Sequence, residues 1–337
     1  SFGDDYIPEE KPTITSEPDV PIITSSPVIS TPTSNPELPT TIPTQKPEQT
    51  DPDQIECPII KKDSYYVEID ENKGHTTNNK HVYACNKNLK RIFGSGCVLS
   101  VYYCKFSGLE DTTTNGGGAI YIHNKGEKPD GNSTIENCIF SQCISTKGGA
   151  IFIYTLQRVR SYNITNCKFI QNKVSSNNGN GGAIYFNAAS GKIEDCMFKN
   201  NIAAHGCDIY YQCGHTNKNS VELMVRSNTF ERNLKEDISL SIIYLHWTNY
   251  SRFKFNNNII YISESCNTFL FERNSLEVND DFTLSLNCIL PKEGHICDSK
   301  YTDISTITKK DGCFTSNCKY PISESPLPSI TPTPEPT

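Results

Sequence analysis

The sequence predicts an all-β fold, a parallel β-helix (solenoid) flanked by disordered Pro/Thr-rich segments, and three observations carry this. First, Gly117-Gly118-Ala119-Ile120-Tyr121-Ile122, Gly148-Gly149-Ala150-Ile151-Phe152-Ile153 and Gly181-Gly182-Ala183-Ile184-Tyr185-Phe186 nearly repeat one another. A period of about 30 residues marks a stacked architecture, in which each unit buries its apolar face only against its neighbours. Second, a different motif interleaves with the first: an aliphatic residue five before a Phe and a Cys two before it, as in Ile135 to Phe140, Ile164 to Phe169 and Ile193 to Phe198. Third, the apolar runs are short, β-branched or aromatic, and bounded by Gly and Asn, which reads as strand and turn rather than as the helices of tetratricopeptide or ankyrin units.

In chain order, residues 1–56 carry Pro every few positions among Thr, Ser and Glu. Such a segment buries too little apolar surface to offset its ordering entropy and reads as a disordered stalk. Residues 57–319 form the repeat domain, with 57–96 and 276–319 expected as caps that protect the end rungs. Residues 320–337 return to the Pro/Thr composition of a linker or tail.

Inside the domain, side chains two apart on a strand share a face. Stacking equivalent strands in parallel about 4.8 Å apart therefore predicts a Phe column of Phe106, Phe140, Phe169, Phe198, Phe230 and Phe255. A Cys column of Cys104, Cys138, Cys167 and Cys196 runs beside it, with Asn228 in the next Cys place. Polar Glu136, Thr165 and Glu194, four before the Phe, predict a bend. Three after the Phe an Asn recurs (Asn172, Asn201, Asn233 and Asn258), where Leu109 and Cys143 stand in earlier units. At a turn its amide is placed to bond its own backbone or the Asn of the next coil. The Gly pairs permit a tight corner, and Gly206 to Tyr210 and Glu236 to Leu240 read as decayed copies of it.

Alternation of Gly-Gly-Ala-Ile with Phe-x-x-Asn, as in Gly148 to Ile151 with Phe169 to Asn172 and Gly181 to Ile184 with Phe198 to Asn201, resembles the hallmark repeats of the polymorphic outer-membrane protein family. That family is best known from chlamydiae, and similar repeats occur in surface proteins of parasitic protists. The resemblance covers about residues 97 to 275. It implies a right-handed β-helix with adhesive or surface-antigen roles and no catalytic residues. No run of alternating barrel strands follows the repeats, so the protist-type member, without an autotransporter barrel, is the closer fit.

A formal charge of −7 and the lack of a basic stripe argue against a nucleic-acid surface. No apolar run is long enough to span a membrane. The chain begins Ser1-Phe2-Gly3, as a mature secreted protein or an excised fragment does. Fifteen Cys and the Asn-x-Ser/Thr motifs at Asn132, Asn163 and Asn249, candidates for glycosylation, favour an extracellular or cell-surface location. The column cysteines read as buried small apolar groups. The remaining ones (Cys57, Cys85, Cys97, Cys143, Cys207, Cys213, Cys266, Cys288, Cys297, Cys313 and Cys318) form the better disulfide pool.

No residue set demands catalysis, and no cofactor or metal is expected. Cys207 and Cys213 with His205 and His215 fit no zinc spacing. A polysaccharide hydrolase would need paired carboxylates, for which Glu110-Asp111, Glu236-Asp237 and Asp280-Asp281 are candidates, with Gly214-His215 and Arg252-Phe253-Lys254 as substrate contacts. Their order along the chain departs from the polygalacturonase pattern. The expected function is therefore a non-catalytic adhesin or surface antigen, bound to a host-cell or extracellular-matrix protein or glycan. A secreted polysaccharide-degrading enzyme and a structural spacer are the alternatives. The loops His123 to Ser133, Thr155 to Ser161 and Gln212 to Ser220 vary most. Tyr154, Tyr162, Tyr210, Tyr211 and Trp247 are candidate aromatic anchors.

Overall fold

The computed structural model describes residues 56–59, 66–69, 75–78, 80–112, 116–124, 131–155, 161–187, 190–212, 221–233, 240–246, 251–262, 268–273, 282–285, 287–290 and 314–315. All of them lie in the unit Asp51–Thr337. Residues 1–55 of the stalk, the tail, Asn249, Trp247, Glu236-Asp237, Asp280-Asp281, Gly214-His215, Cys213, Cys266, Cys297, Cys313 and Cys318 fall outside them.

Every regular element among the described residues is a strand, and the strands stack in parallel as a β-solenoid. A coil runs through a first sheet (Ile120–Asn124), a second (Ser133–Glu136), a third (Ile139–Ser141) and a narrow ribbon (Ile144–Ser145) before the Gly corner returns it to the first. The first, second and third sheets hold eight, nine and eight strands and the ribbon three. Residues expected as caps contribute rungs: Tyr66–Glu68 and His81–Cys85 pair in the second sheet, and Asn287–Leu290 pairs with Phe314–Thr315 in the third.

Registry confirms the frame where its residues are strictly repeated. Phe106, Phe140, Phe169, Phe198 and Phe230 are directly opposite one another and fully buried. Their rings stack with centroids 4.9 to 5.0 Å apart, the offset geometry that aromatic pairs favour. Phe255 departs from the expected column. It lies in the second sheet opposite Val225, and Ile260 takes the place opposite Phe230. The frame is intact in that coil, but Phe occupies the aliphatic place and Ile the Phe place. Either residue fills an inward apolar slot.

The bend comes one residue later than expected. Glu136, Thr165 and Glu194 finish their strands. The chain turns at Asn137, Asn166 and Asp195, with φ of 56°, 49° and 54°. Asn and Asp tolerate this left-handed region because their short side chains bond locally.

Inward of that turn runs one continuous column. The N–H of Cys104, Cys138 and Cys167 each meets the Sγ of the next coil's Cys at 3.4 Å. At Cys196 the column changes chemistry, because its N–H donates to Asn228 Oδ1 at 2.9 Å. Asn228 N–H then donates to Asn258 Oδ1, and Asn258 N–H to Asn287 Oδ1, both at 3.0 Å. Asn258 thus belongs to the Cys column, not to the Asn turn after the Phe. The expected turn ladder is shorter: Cys143 N–H to Asn172 Oδ1 at 3.0 Å, then Asn172 N–H to Asn201 Oδ1 at 2.8 Å. Asn233 leaves it. Its exposed side chain accepts from Asn200 Nδ2 at 2.6 Å, while the preceding Arg232 turns into the core and donates to the Asn201 carbonyl.

The two glycines of each corner have different jobs. Gly117, Gly148 and Gly181 have φ of 64°, 57° and 71°, which L side chains resist. At the second glycine, coils approach too closely for any side chain: a Cβ on Gly149 would sit 2.1 Å from the Gly182 carbonyl oxygen. The Gly206 corner keeps the first glycine, with φ of 62°, and sets Ile209 opposite Ile184, but Cys207 takes the place of the second glycine. The next corner is not Glu236 to Leu240 but Leu240 to Ile243, since Ile243 pairs with Ile209.

Cys57 and Cys85 form a disulfide. Cys97, Cys143 and Cys207, expected in the disulfide pool, are buried thiols like Cys104, Cys138, Cys167 and Cys196. All three are fully buried, and burial pushes the Cys143 thiol up to about 12.

Candidate functional site: the outer face of the first sheet

Connection lengths single out one sheet. Between second and third sheets the chain spends two residues in six coils (103–104, 137–138, 166–167, 195–196, 227–228 and 257–258) and one, residue 286, in the next. From first to second sheet it spends two (79–80), two (96–97), eight (125–132), five (156–160), two (188–189), eight (213–220), four (247–250) and eight (274–281). From ribbon to first sheet it spends eight (112–119), five (146–150) and nine (175–183). Both variable borders flank the first sheet, and the three loops expected to vary most all attach along one of them.

Strand alternation sends Ile120, Ile122, Ile151, Ile153, Ile184 and Phe186 inward and the residues between them outward. Outward, Phe93, Tyr121, Phe152, Tyr185, Tyr210 and Tyr244 stack into a second aromatic column, with ring centroids 4.5 to 5.2 Å apart. The rings lie nearly parallel, so their faces are spent on each other, and Tyr121, Tyr185 and Tyr210 are themselves buried. Arg91 closes the N-terminal end of the column, its guanidinium 5.4 Å from the Phe93 centroid and 5.9 Å from that of Tyr121. The same side chain donates to the carbonyls of Gly117 at 2.8 Å and Gly116 at 2.6 Å, and ion-pairs with Asp111.

Two residues further along each strand lies a parallel polar column: Ser95, His123, Tyr154, Asn187, Gln212 and His246. The columns are laced together. Tyr185 Oη donates to Gln212 Oε1 at 2.5 Å, and the Tyr210 hydroxyl lies 3.5 Å from His246 Nδ1. Burial raises the Tyr185 phenol to about 12 and lowers His246, which keeps both neutral near pH 7. The result is a strip of hydrogen-bonding groups beside the aromatic column.

Of the candidate anchors, Tyr154 and Tyr210 stand on this face, Tyr154 half-buried and Tyr210 only 5 % exposed, whereas Tyr162 and Tyr211 point inward and are fully buried. Asn124 Nδ2 donates to the Tyr162 hydroxyl. The outward column escaped the reading of the sequence, although its signal is present: Tyr121, Phe152 and Tyr185 each follow the Ile of a Gly-Gly-Ala-Ile tetrapeptide.

The described hydrolase candidates do not converge. Asp111 is held by Arg91 on the ribbon, while Lys254 lies on the second sheet 3.0 Å from Glu222. Five rungs, about 24 Å, separate their coils. His205 packs on Tyr244 at 5.1 Å between centroids, and Cys207 Sγ donates to the Ala203 carbonyl at 3.3 Å. No group of three or more His, Cys, Asp or Glu suited to a metal ion occurs among the described residues. Among these residues no helix is long and apolar enough to cross a membrane. The fold and face together define a parallel β-solenoid with one loop-bordered sheet. No protein-family model, curated protein or solved structure matches the chain.

Proposed function

We propose that this protein is a non-catalytic extracellular surface protein, an adhesin or surface antigen, that presents variable loops beside an aromatic and polar strip to a host-cell or extracellular-matrix protein or glycan. The observation that supports this reading is the segregation of connection lengths: one or two residues where the second sheet meets the third, two to nine on the borders of the first sheet. Rigid corners with one variable region are what a recognition scaffold requires. Its Gly-Gly-Ala-Ile and Phe-x-x-Asn elements support placement with the protist-type members of the polymorphic outer-membrane protein family.

The test is binding of the full chain to host cells before and after residues 125–131 and 213–220 are replaced by two-residue turns. Recognition through these loops predicts that affinity falls about tenfold or more, equivalent to about 1.4 kcal/mol. Unchanged binding would remove the loops from the interface, and absence of binding by the intact chain would leave a spacer.

A further inference from the structure

Of the three Asn-x-Ser/Thr motifs, the two described ones converge on one surface, and the structure explains why only these positions suit them. In Asn132-Ser133-Thr134 the middle residue points inward: Ser133 is buried, and its Oγ accepts the Leu99 N–H at 3.0 Å. In Asn163-Ile164-Thr165 the middle residue, Ile164, is likewise buried in the core. Strand alternation therefore turns Asn132 with Thr134, and Asn163 with Thr165, outward together on the second sheet. Asn132 is exposed and Asn163 half-buried. Thr134 lies directly opposite Asn163 on the adjacent rung, so the two Asn are one rung and two residues apart, about 8 Å.

Asparagine is frequent elsewhere without forming the motif. The buried ladder residues Asn172, Asn201, Asn228, Asn258 and Asn287 are followed at the second position by Val, Ala, Phe, Ile and Ile. The turn residues Asn137, Asn166 and Asn257 are followed there by Ile, Lys and Ile. Neither the ladders nor these turns carry an acceptor hydroxyl. The third motif, Asn249-Tyr250-Ser251, ends on Ser251, which opens the next-but-one strand of the same sheet after Ser190–Glu194.

We propose that Asn132 and Asn163 carry N-linked oligosaccharides that clothe the outer face of the second sheet and leave the first sheet bare for recognition. This rests on the extracellular reading above. In the transfer, the Asn Nδ2 attacks the anomeric carbon of an oligosaccharide carried on a lipid-linked phosphate. A C–N bond forms, the C–O bond to phosphate breaks, the phosphate leaves with the electron pair, and the amide proton passes to a base of the transferase. A glycan bonded at either Asn projects away from the core, so folding tolerates it, and at about 8 Å separation the two share one patch.

The experiment is translation of the full chain, behind a heterologous signal peptide, in the presence of glycosylating microsomes. Asn132→Gln and Asn163→Gln are each expected to remove one endoglycosidase-sensitive step in mass, and the double variant two. If neither substitution removes a step, the proposal is overturned. A failed surface reading is separable, because labelling of intact source cells reports location while the microsomes report acceptor competence. Enzymatic removal of the glycans from secreted chain is expected to leave cell binding unchanged; abolished binding would overturn the assignment of a bare first sheet.

Discussion

At the scale of single residues, the fold depends on positions where one added atom has nowhere to go. Gly149→Ala would drive a methyl to 2.1 Å from the Gly182 carbonyl oxygen, where backbone must move. It is expected to cost about 3 kcal/mol in chemical denaturation. Gly108→Ala offers a control: its φ is 60° but no atom lies within 4 Å of the new Cβ, so the cost is the conformational term alone, about 1 kcal/mol. Equal losses at the two sites would refute the close-approach argument. The inner column makes a second contrast. Asn258 Oδ1 accepts from Asn228 N–H and Nδ2 donates to the Val225 carbonyl, both at 3.0 Å, so Asn258→Ala strands buried backbone groups and should cost about 3 kcal/mol. Cys167→Ala takes from the Cys138 N–H only a sulfur contact of 3.4 Å, a weaker acceptor than an amide oxygen, and should cost less, about 1 kcal/mol. Thermal denaturation of the pair checks the ranking.

At the scale of one element, the Gly206 corner carries a buried carboxyl that its sister corners lack. Where Ala119, Ala150 and Ala183 point inward, this coil has Asp208, nearly fully buried, with Asn201 Nδ2 donating to it at 2.8 Å. Arg232 enters the core beside it. Burial pushes the Asp208 carboxyl up to about 7, against partial relief from Asn201 and Arg232. A raised folded-state value means that the folded chain holds a proton the unfolded chain gives up. Its stabilising contribution is therefore complete below the ordinary carboxylate value of about 4 and is lost as pH rises through about 7. Melting temperature is expected to fall between pH 4 and pH 8, with the slope reduced in Asp208→Asn, which keeps the hydrogen-bonding shape. Identical slopes would count against this. The decayed corner was readable in Gly206-Cys207-Asp208-Ile209, but its partner Arg232 was not, because nothing in a linear pattern says that a strand-end Arg turns inward.

At the scale of the whole molecule, the repeat was legible wherever each inward slot kept one residue type, as in Phe106 to Phe230 and Cys104 to Cys196. It blurred where chemistry was exchanged without loss of shape, with Phe255 for an aliphatic, Ile260 for Phe and Asn258 for Cys, although Asn228 in the Cys place was legible. Register is set by which face is buried, and that criterion does not distinguish Phe from Ile. The recognition face was less legible, since only stacking shows that separate loops share a border with one sheet. Burial of the thiol column gives a global check. In the native chain Cys104, Cys138, Cys167 and Cys196, all at most 2 % exposed, should resist alkylation until denaturant is added. Native labelling would mean that the coils open.

The same column bears on how such a chain changes length. Successive cysteines that meet across coils, Cys138 to Cys167 and Cys167 to Cys196, are 29 residues apart. Excising or duplicating one such unit would bring Cys beside Cys and Phe beside Phe again, so every seam created is chemically the same as the seam it replaces. A gene encoding this scaffold is free to grow or shrink in whole coils by unequal recombination, with the loops of each inserted coil arriving already placed on the first-sheet border.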